Sequence, residues 1–381
     1  MWVCRAQSGK KMDYEFLVPC LFGLEGIVAD ELRYMKMENV RAENGRVLFC
    51  GGEEELARAN LRLRCGERVL IRLAAFEAPT FDALFERVRA LPWEAFIARE
   101  EAFPVKGHSL ASKLHSVPDC QKIIKKAIVE RMKEKYGLQW CEETGERVQV
   151  QFSIMKDMAE ILIDTTGAGL HKRGYRLIAN EAPLRETLAA AMVKLSRFRG
   201  RDEFIDPMCG SGTIPIEAAM IAQDRAPGLY RRFSAERWAR SDRDLWERER
   251  DACRAMIRTG DFVIRGCDVD EKSIALAADN AKRAGVAGLL RLKSCDALKL
   301  PYEKLSGVLV TNPPYGERML DVQRARALYR AFGKALCKNP ALKRYIICSD
   351  PEFETYFGAR ADKKRKLYNG MIKCNLFMYY Q

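Results

Sequence analysis

Three carboxylates and one amide stand at equivalent local positions in this 381-residue sequence: each follows an apolar, strand-like run where it gives way to a polar loop. Asp206 ends "EFI" and opens "DPMCGSGT", which feeds directly into the helix-like "IPIEAAMIA". Gly210 and Gly212 let a ligand approach the backbone closely, and the helix start presents free N–H groups. Pro207 and Thr213 bracket that loop. Asp268 closes "VIRGC", Asp296 follows "LRLKSC" with Ala297 behind it, and Asn312 follows "GVLVT" ahead of Pro313, Pro314 and Tyr315. A dinucleotide fingerprint would want a third glycine where Pro215 stands, and no Gly-Lys-Ser/Thr follows. Neither a nicotinamide site nor a phosphate-cradling P-loop fits.

A carboxylate aimed into the first loop suits a cation better than a pyrophosphate. S-adenosylmethionine offers an ammonium and a sulfonium; Asp268 then stands where an acid can accept from both ribose hydroxyls, and Asp296 where one can accept from the adenine amine. Taken singly, each acid reads as a solvated loop residue or a helix cap. Three at successive strand ends, in the order a doubly wound sheet needs, favour a ligand. Proline lacks an N–H and fixes φ, so Pro313-Pro314 ends sheet pairing and stiffens the loop. The Asn312 side-chain oxygen and the Pro313 carbonyl can then accept the two hydrogens of an exocyclic amine and stabilise charge as a methyl arrives. Tyr315 offers a face for stacking a base, worth roughly 1–3 kcal/mol. The sulfonium is a good leaving group, so no strong general base is required. The competing reading is a rigid turn capping a buried strand. The motif alone specifies only a planar amino group, which leaves adenine, cytosine, guanine and glutamine open.

The elements that must position these residues are legible in outline. From residue 184 onward, strands alternate with helices, which predicts an α/β doubly wound, mostly parallel sheet. The tail "KKRKLYNGMIKCNLFMYY" predicts an antiparallel hairpin turning at Asn369-Gly370. Upstream, the pattern predicts strands at 14–19, 46–50, 103–109, 148–154 and 160–164, with helices at 23–36, 53–61, 81–91 and 120–136. Asp119 is the expected N-cap and Gly137 the C-cap of the last helix. Its apolar stripe of Ile123, Ile124, Ala127, Ile128 and Met132 turns Lys122, Lys125 and Lys126 towards solvent or a phosphate backbone. Formal charge is +13, and it is uneven: residues 1–150 carry 24 basic and 23 acidic side chains, residues 151–381 carry 41 and 29. A basic half of this kind fits a polyanion such as nucleic acid. The sequence has no run of eighteen apolar residues and no signal-peptide pattern, which predicts a soluble, cytoplasmic protein without a membrane contact. Its 13 cysteines include no C-x-x-C pair, so neither a metal site nor a disulfide framework is expected.

"DPMCGSGT", "GCDVD", "SCDAL" and "TNPPYG" resemble the motifs of class I S-adenosylmethionine-dependent methyltransferases of the amino-group type. "APLRETLAAAM" is similar to the helix preceding the first motif in the branch acting on RNA, and "KGHSLASKLHSVPDCQKIIKKAIVERM" resembles a THUMP RNA-binding domain. From residue 12 to the end, the sequence resembles the bacterial ribosomal-RNA guanine-N2 methyltransferase family in its single-catalytic-domain form. The resemblance implies a flexible extension at 1–11, a ferredoxin-like module at 12–70, a THUMP domain at 71–165 and a Rossmann-like methyltransferase domain at 166–381. It also implies methyl transfer from S-adenosylmethionine, leaving S-adenosylhomocysteine, to a guanine N2 in 23S ribosomal RNA. Asp206, Pro207, Gly210, Gly212, Thr213, Asp268, Asp296 and Ala297 would hold the cofactor, and Asn312, Pro313, Pro314 and Tyr315 the target base. Lys113, His115, Lys122, Lys125 and Lys126 are candidate RNA contacts. No second methyltransferase motif set is present, so the companion activity of the bifunctional form is not expected. Alternatives are a transfer-RNA guanine-N2 methyltransferase, DNA adenine-N6 methylation and a non-catalytic RNA-binding assembly factor. The arginine-rich stretch 226–260 reads equally well as an RNA contact and as a salt-bridged helix.

Overall fold

The computed structural model describes residues 14–176, 184–314 and 322–380. They contain two seven-stranded sheets, and the chain divides into two compact units. The first comprises the chain up to Pro19 with Ala29–Leu170 and Arg232–Asp251; the second comprises Cys20–Val28, His171–Arg231 and Ala252–Gln381. The expected extension at 1–11 lies outside the described residues.

The N-terminal elements are β1 (Tyr14–Pro19), α1 (Glu25–Tyr34), β2 (Glu38–Glu43), β3 (Arg46–Gly51), α2 (Glu53–Arg62), β4 (Leu70–Glu77), α3 (Phe81–Arg89), β5 (Val105–Leu110), α4 (Val117–Tyr136), β6 (Gln149–Met155) and β7 (Met158–Asp164). Their sheet runs β2-β3-β1-β4-β7-β6-β5. Only β5 and β6 pair in parallel; every other neighbouring pair is antiparallel. β4 pairs with β7 from Leu70↔Asp164 to Glu77↔Met158, so a single sheet runs through residue 70, where the sequence suggests a module boundary. Helix α4 starts earlier than expected: Ser116 occupies the N-cap, and Asp119 lies inside the first turn, its carboxylate accepting from Ser116 Oγ at 2.6 Å. Gly137 closes it with φ of 63°, a left-handed conformation that glycine adopts without a Cβ penalty. Ile123 is only half-buried, while Ile124, Ala127, Ile128 and Met132 are buried.

The arginine-rich stretch contributes residues 232–251 to this same unit. Ser234 and Ala235 N–H groups donate to the carbonyls of Thr166 and Thr165, Phe233 stacks on Trp246 at 5.6 Å, and Glu236 accepts from both Arg232 and Arg250. Arg58 reaches Glu249 at 2.8 Å. Arg250 is buried in these internal contacts, whereas Arg232, Arg237 and Arg248 keep most of their side chains exposed.

Downstream follow α5 (Glu186–Leu195), β8 (Phe204–Asp206), α6 (Thr213–Ala222), α7 (Arg243–Ala255), β9 (Ile264–Asp268), α8 (Glu271–Arg283), β10 (Leu290–Ser294), β11 (Val308–Thr311), α9 (Val322–Leu336), β12 (Lys343–Cys348), α10 (Phe353–Phe357), β13 (Lys363–Asn369) and β14 (Ile372–Tyr379). The sheet of the second unit runs β10-β9-β8-β11-β12-β14-β13, parallel from β10 to β12 and antiparallel at β14 and β13. Strand order reverses direction between β8 and β11, the place where doubly wound sheets bind ligands. The hairpin loop is Gly370–Met371, since Asn369 pairs with Ile372; Gly370 takes the positive φ of 64°. An aromatic core of Tyr329, Phe332, Phe353, Phe357, Phe377 and Tyr379 packs on this sheet, with Phe353 and Phe377 centroids 4.7 Å apart. No helix among the described residues is long and apolar enough to cross a membrane.

Candidate active site

Asp206 ends β8 with its carboxylate fully out of water. Its Oδ1 accepts from the Thr311 hydroxyl at 2.7 Å and from the Met208 N–H at 3.2 Å, while Oδ2 is buried without a partner. Burial pushes this carboxyl up to about 7, with the Thr311 and Met208 hydrogen bonds pulling against it and the nearby Asp268 adding a little. A group held this way is poised to meet a cation, since a buried acceptor without a donor costs free energy that a ligand can recover.

The loop after Asp206 is shaped by two left-handed glycines, Gly210 (φ 50°) and Gly212 (φ 82°). A Cβ on Gly212 would lie 2.9 Å from that of Ala277 in α8, so glycine is required there for close packing. A Cβ on Gly210 would point into open space; the loop surface there is bare backbone. Asp268, ending β9, clasps the loop: its Oδ2 accepts from Gly210 N–H at 2.8 Å and its Oδ1 from Asp270 N–H at 3.1 Å. A carboxylate has about four acceptor sites, so Asp268 retains capacity for hydroxyl donors. Asp296, after β10, caps a short turn by accepting from Leu298 N–H at 2.9 Å, with Ala297 buried behind it. Pro207 is buried, and the Thr213 hydroxyl accepts from Arg176 at 3.1 Å.

Asn312 follows β11, whose Leu309 pairs with Ile205 of β8, so the Asn312 and Asp206 strand ends lie side by side. Asn312 Oδ1 is buried with no hydrogen-bond partner. Pro313 is buried and Pro314 half-buried; the Tyr329 hydroxyl donates to the Pro314 carbonyl at 3.0 Å and pins the turn to α9. Two neighbouring strands thus end in an orphan amide oxygen and an orphan carboxylate oxygen. Tyr315 lies outside the described residues. Thr311, Tyr329 and Arg176 escaped the sequence reading. Thr311 carried a local signal, its position between a strand and Asn312; the other two act across the fold.

These residues fit S-adenosylmethionine: two unpartnered buried oxygens, a bare glycine loop at a helix start, and two more strand-end carboxylates. Behind the loop, Arg173 and Glu217 pair at 3.3 Å in full burial, and Arg176 pairs with Glu186 at 3.0 Å, bracing α5 and α6.

In the first unit the basic candidates divide. Lys113, His115, Lys122 and Lys126 are exposed; Lys122 pairs loosely with Asp119 at 3.6 Å, and Lys126 lies 5.8 Å over the Phe85 ring. Lys125 departs from the expected outward position. Its Nζ pairs with Glu143, donates to the Phe103 carbonyl and sits 3.5 Å over the Phe103 ring, and burial lowers its pKa.

Residues 173–377 match a family described as "RMKL-like, methyltransferase domain", residues 15–70 an RlmL ferredoxin-like domain and residues 78–164 a THUMP domain. YpsC of Bacillus subtilis (strain 168), provisionally named an RNA methyltransferase, is 41% identical over 370 residues, covering 96% of both chains. A ribosomal RNA large subunit methyltransferase K/L from Psychromonas ingrahamii is 34% identical over 375 residues, covering 96% of this chain and 50% of its own. The chain thus spans about half the length of that relative. The crystal structure of SMU.472, a candidate methyltransferase complexed with S-adenosylhomocysteine, superposes with a TM-score of 0.92 at 39% identity, covering 97% of this chain and 98% of that one.

Proposed function

The chain belongs to the RMKL-like methyltransferase family, with THUMP and ferredoxin-like domains, and from that premise we propose that it methylates the exocyclic N2 amine of a guanine in RNA, with 23S ribosomal RNA as the substrate. Dependence on S-adenosylmethionine follows from the family. The reading divides the chain at 12–70, 71–165 and 166–381 and places it in the cytoplasm, where its RNA is found. When bound, S-adenosylmethionine supplies a methyl group on a sulfonium leaving group.

The residues of this chain do the rest. Asp206 would hold the cofactor's cationic end, Asp268 would accept from its ribose hydroxyls and Asp296 from its adenine amine. Asn312 Oδ1 and the Pro313 carbonyl each accept one hydrogen of the target amine, aligning its lone pair with the incoming methyl and stabilising the charge that develops on nitrogen. Pro314 keeps that pair rigid through Tyr329, and Tyr315 stacks on the base. The surplus proton leaves to solvent once the new N–C bond has formed. A guanine in a duplex must first be unstacked, at a cost of a few kcal/mol.

The observation that carries this reading is the buried, unpartnered Asn312 Oδ1, at the end of the strand next to the one that Asp206 closes, an arrangement suited to an amine donor. Incubating the protein with isotope-labelled S-adenosylmethionine and separately with ribosomal and transfer RNA, then digesting to nucleosides, tests it. N2-methylguanosine from ribosomal RNA is the expected product. The label in transfer RNA would redirect the substrate, label in N6-methyladenosine would overturn the base, and no label would leave a binding protein.

A further inference from the structure

A second concave site lies in the methyltransferase unit, on a sheet face rather than at the strand ends. The connection from β10 to β11 contains only short turns, with no helix to cover β8, β9 and β10 on one side. A cavity of about 420 Å³ opens there. Ile205, Arg265, Cys267, Arg291 and Lys293 line it from one face of the sheet, and Leu300 and Leu305 from the β10–β11 connection. The parallel register sets Arg291 directly beside Arg265, and Lys293 beside Cys267.

Like charges side by side across a ladder are destabilising, and the protein compensates only one of them. Arg265 pairs with Glu203; Arg291 and Lys293 are exposed and have no acidic partner among the described residues. On the segment that closes the groove, Lys299 and Lys304 are exposed against one exposed acid, Glu303. A cavity of this size, with apolar residues alongside uncompensated cations, matches a sugar-base unit with its flanking phosphates. We propose that this groove binds a single-stranded segment of the substrate RNA, its phosphates on Arg291 and Lys293 and one nucleoside against Ile205, Leu300 and Leu305. The proposal rests on RNA being the acceptor. None of the three cofactor acids lines the groove; Asp206 follows Ile205 on β8 and Asp268 follows Cys267 on β9, and successive side chains of a strand leave opposite faces.

The test uses the full-length protein, the double variant Arg291→Gln/Lys293→Gln, and a 4-thiouridine-substituted transcript of 23S ribosomal RNA. Loss of two phosphate contacts lowers the salt slope of binding by about 1.4, at ~0.7 per phosphate for single strands. Projected from 1 M to 0.1 M salt, that is about a 25-fold loss of affinity. S-adenosylhomocysteine affinity, read by calorimetry, stays unchanged. Photocrosslinks on the wild type fall in residues 290–305 and disappear in the variant. A wild-type salt slope in the double variant, or crosslinks that avoid 290–305, overturns the groove. A change in oligomeric state on light scattering with the RNA slope intact overturns it in favour of a protein interface. If the wild type binds RNA but transfers no methyl to it, the catalytic reading fails, and the slope and crosslinks still decide the groove.

Discussion

Asp206 makes the cofactor site sensitive to pH in a way that can be worked out. Its carboxyl is pushed up to about 7 by burial, against roughly 3.9 in an unfolded chain, a gap of about 3 units or ~4 kcal/mol between protonation states. The sign follows from linkage: a raised folded pKa contributes stability that is complete below about pH 4 and is lost as pH rises through about 7. The ligand-free protein therefore loses stability across that window by up to about 4 kcal/mol from this group alone. A cationic ligand reverses the preference, because it binds the ionised carboxylate. At pH 6 about nine in ten free molecules carry the proton, so binding releases ~0.9 proton, and affinity rises about tenfold per pH unit until it levels off near pH 7. Calorimetry with S-adenosylhomocysteine, run from pH 5.5 to 8 in buffers of different ionisation enthalpy, measures both quantities. Asp206→Asn removes the slope and the proton release and binds more weakly throughout. An affinity flat in pH for the wild type, or a proton release that survives in Asp206→Asn, would refute the reasoning.

Asn312→Ala lowers single-turnover methyl transfer by about 10²–10³-fold, the cost of losing one aligned group at developing charge, while S-adenosylhomocysteine affinity stays within about twofold. Glu217→Gln removes the carboxylate that pairs with the buried Arg173 guanidinium, which costs about 3–5 kcal/mol and is read as a fall in Tm and in denaturation midpoint. Tyr329→Phe frees the Pro314 carbonyl; stability drops by about 0.5–1.5 kcal/mol, and turnover falls more than cofactor affinity does.

What the sequence reveals and what it hides follow from the range of the interactions. The strand-end motifs are legible because each is written within about ten residues: an apolar run, a breaker and a polar side chain. The Asn369-Gly370 signal is local too, and only its register moves by one residue in the fold. Strand β2, "ENVRAE", is invisible because its residues are almost all exposed, so no alternation marks a buried face. The union of the N-terminal modules into one sheet depends on β4 meeting β7, partners more than eighty residues apart along their whole register. Lys125 turns inward because Phe103 and Glu143, each about twenty residues away, supply a ring face and a carboxylate that no helical wheel contains.

The site residues and their supports differ in the same way. Asp206, Asp268, Asp296 and Asn312 converge only if β10, β9, β8 and β11 lie side by side: right-handed crossovers lay β9 and β10 on one side of β8, and the chain then crosses back to set β11 on the other. Once the alternation of strand and helix is recognised, handedness together with that one reversal of strand order brings the four ends together without any knowledge of side-chain contacts. The Thr311 to Asp206 hydrogen bond has no such shortcut, since it requires the register of β11 against β8 as well as their adjacency. It is also the contact that leaves Asp206 with one satisfied and one orphaned oxygen. The electrostatic state of the site thus depends on a register that local patterns do not encode, whereas the gathering of its residues depends on a topology that they do.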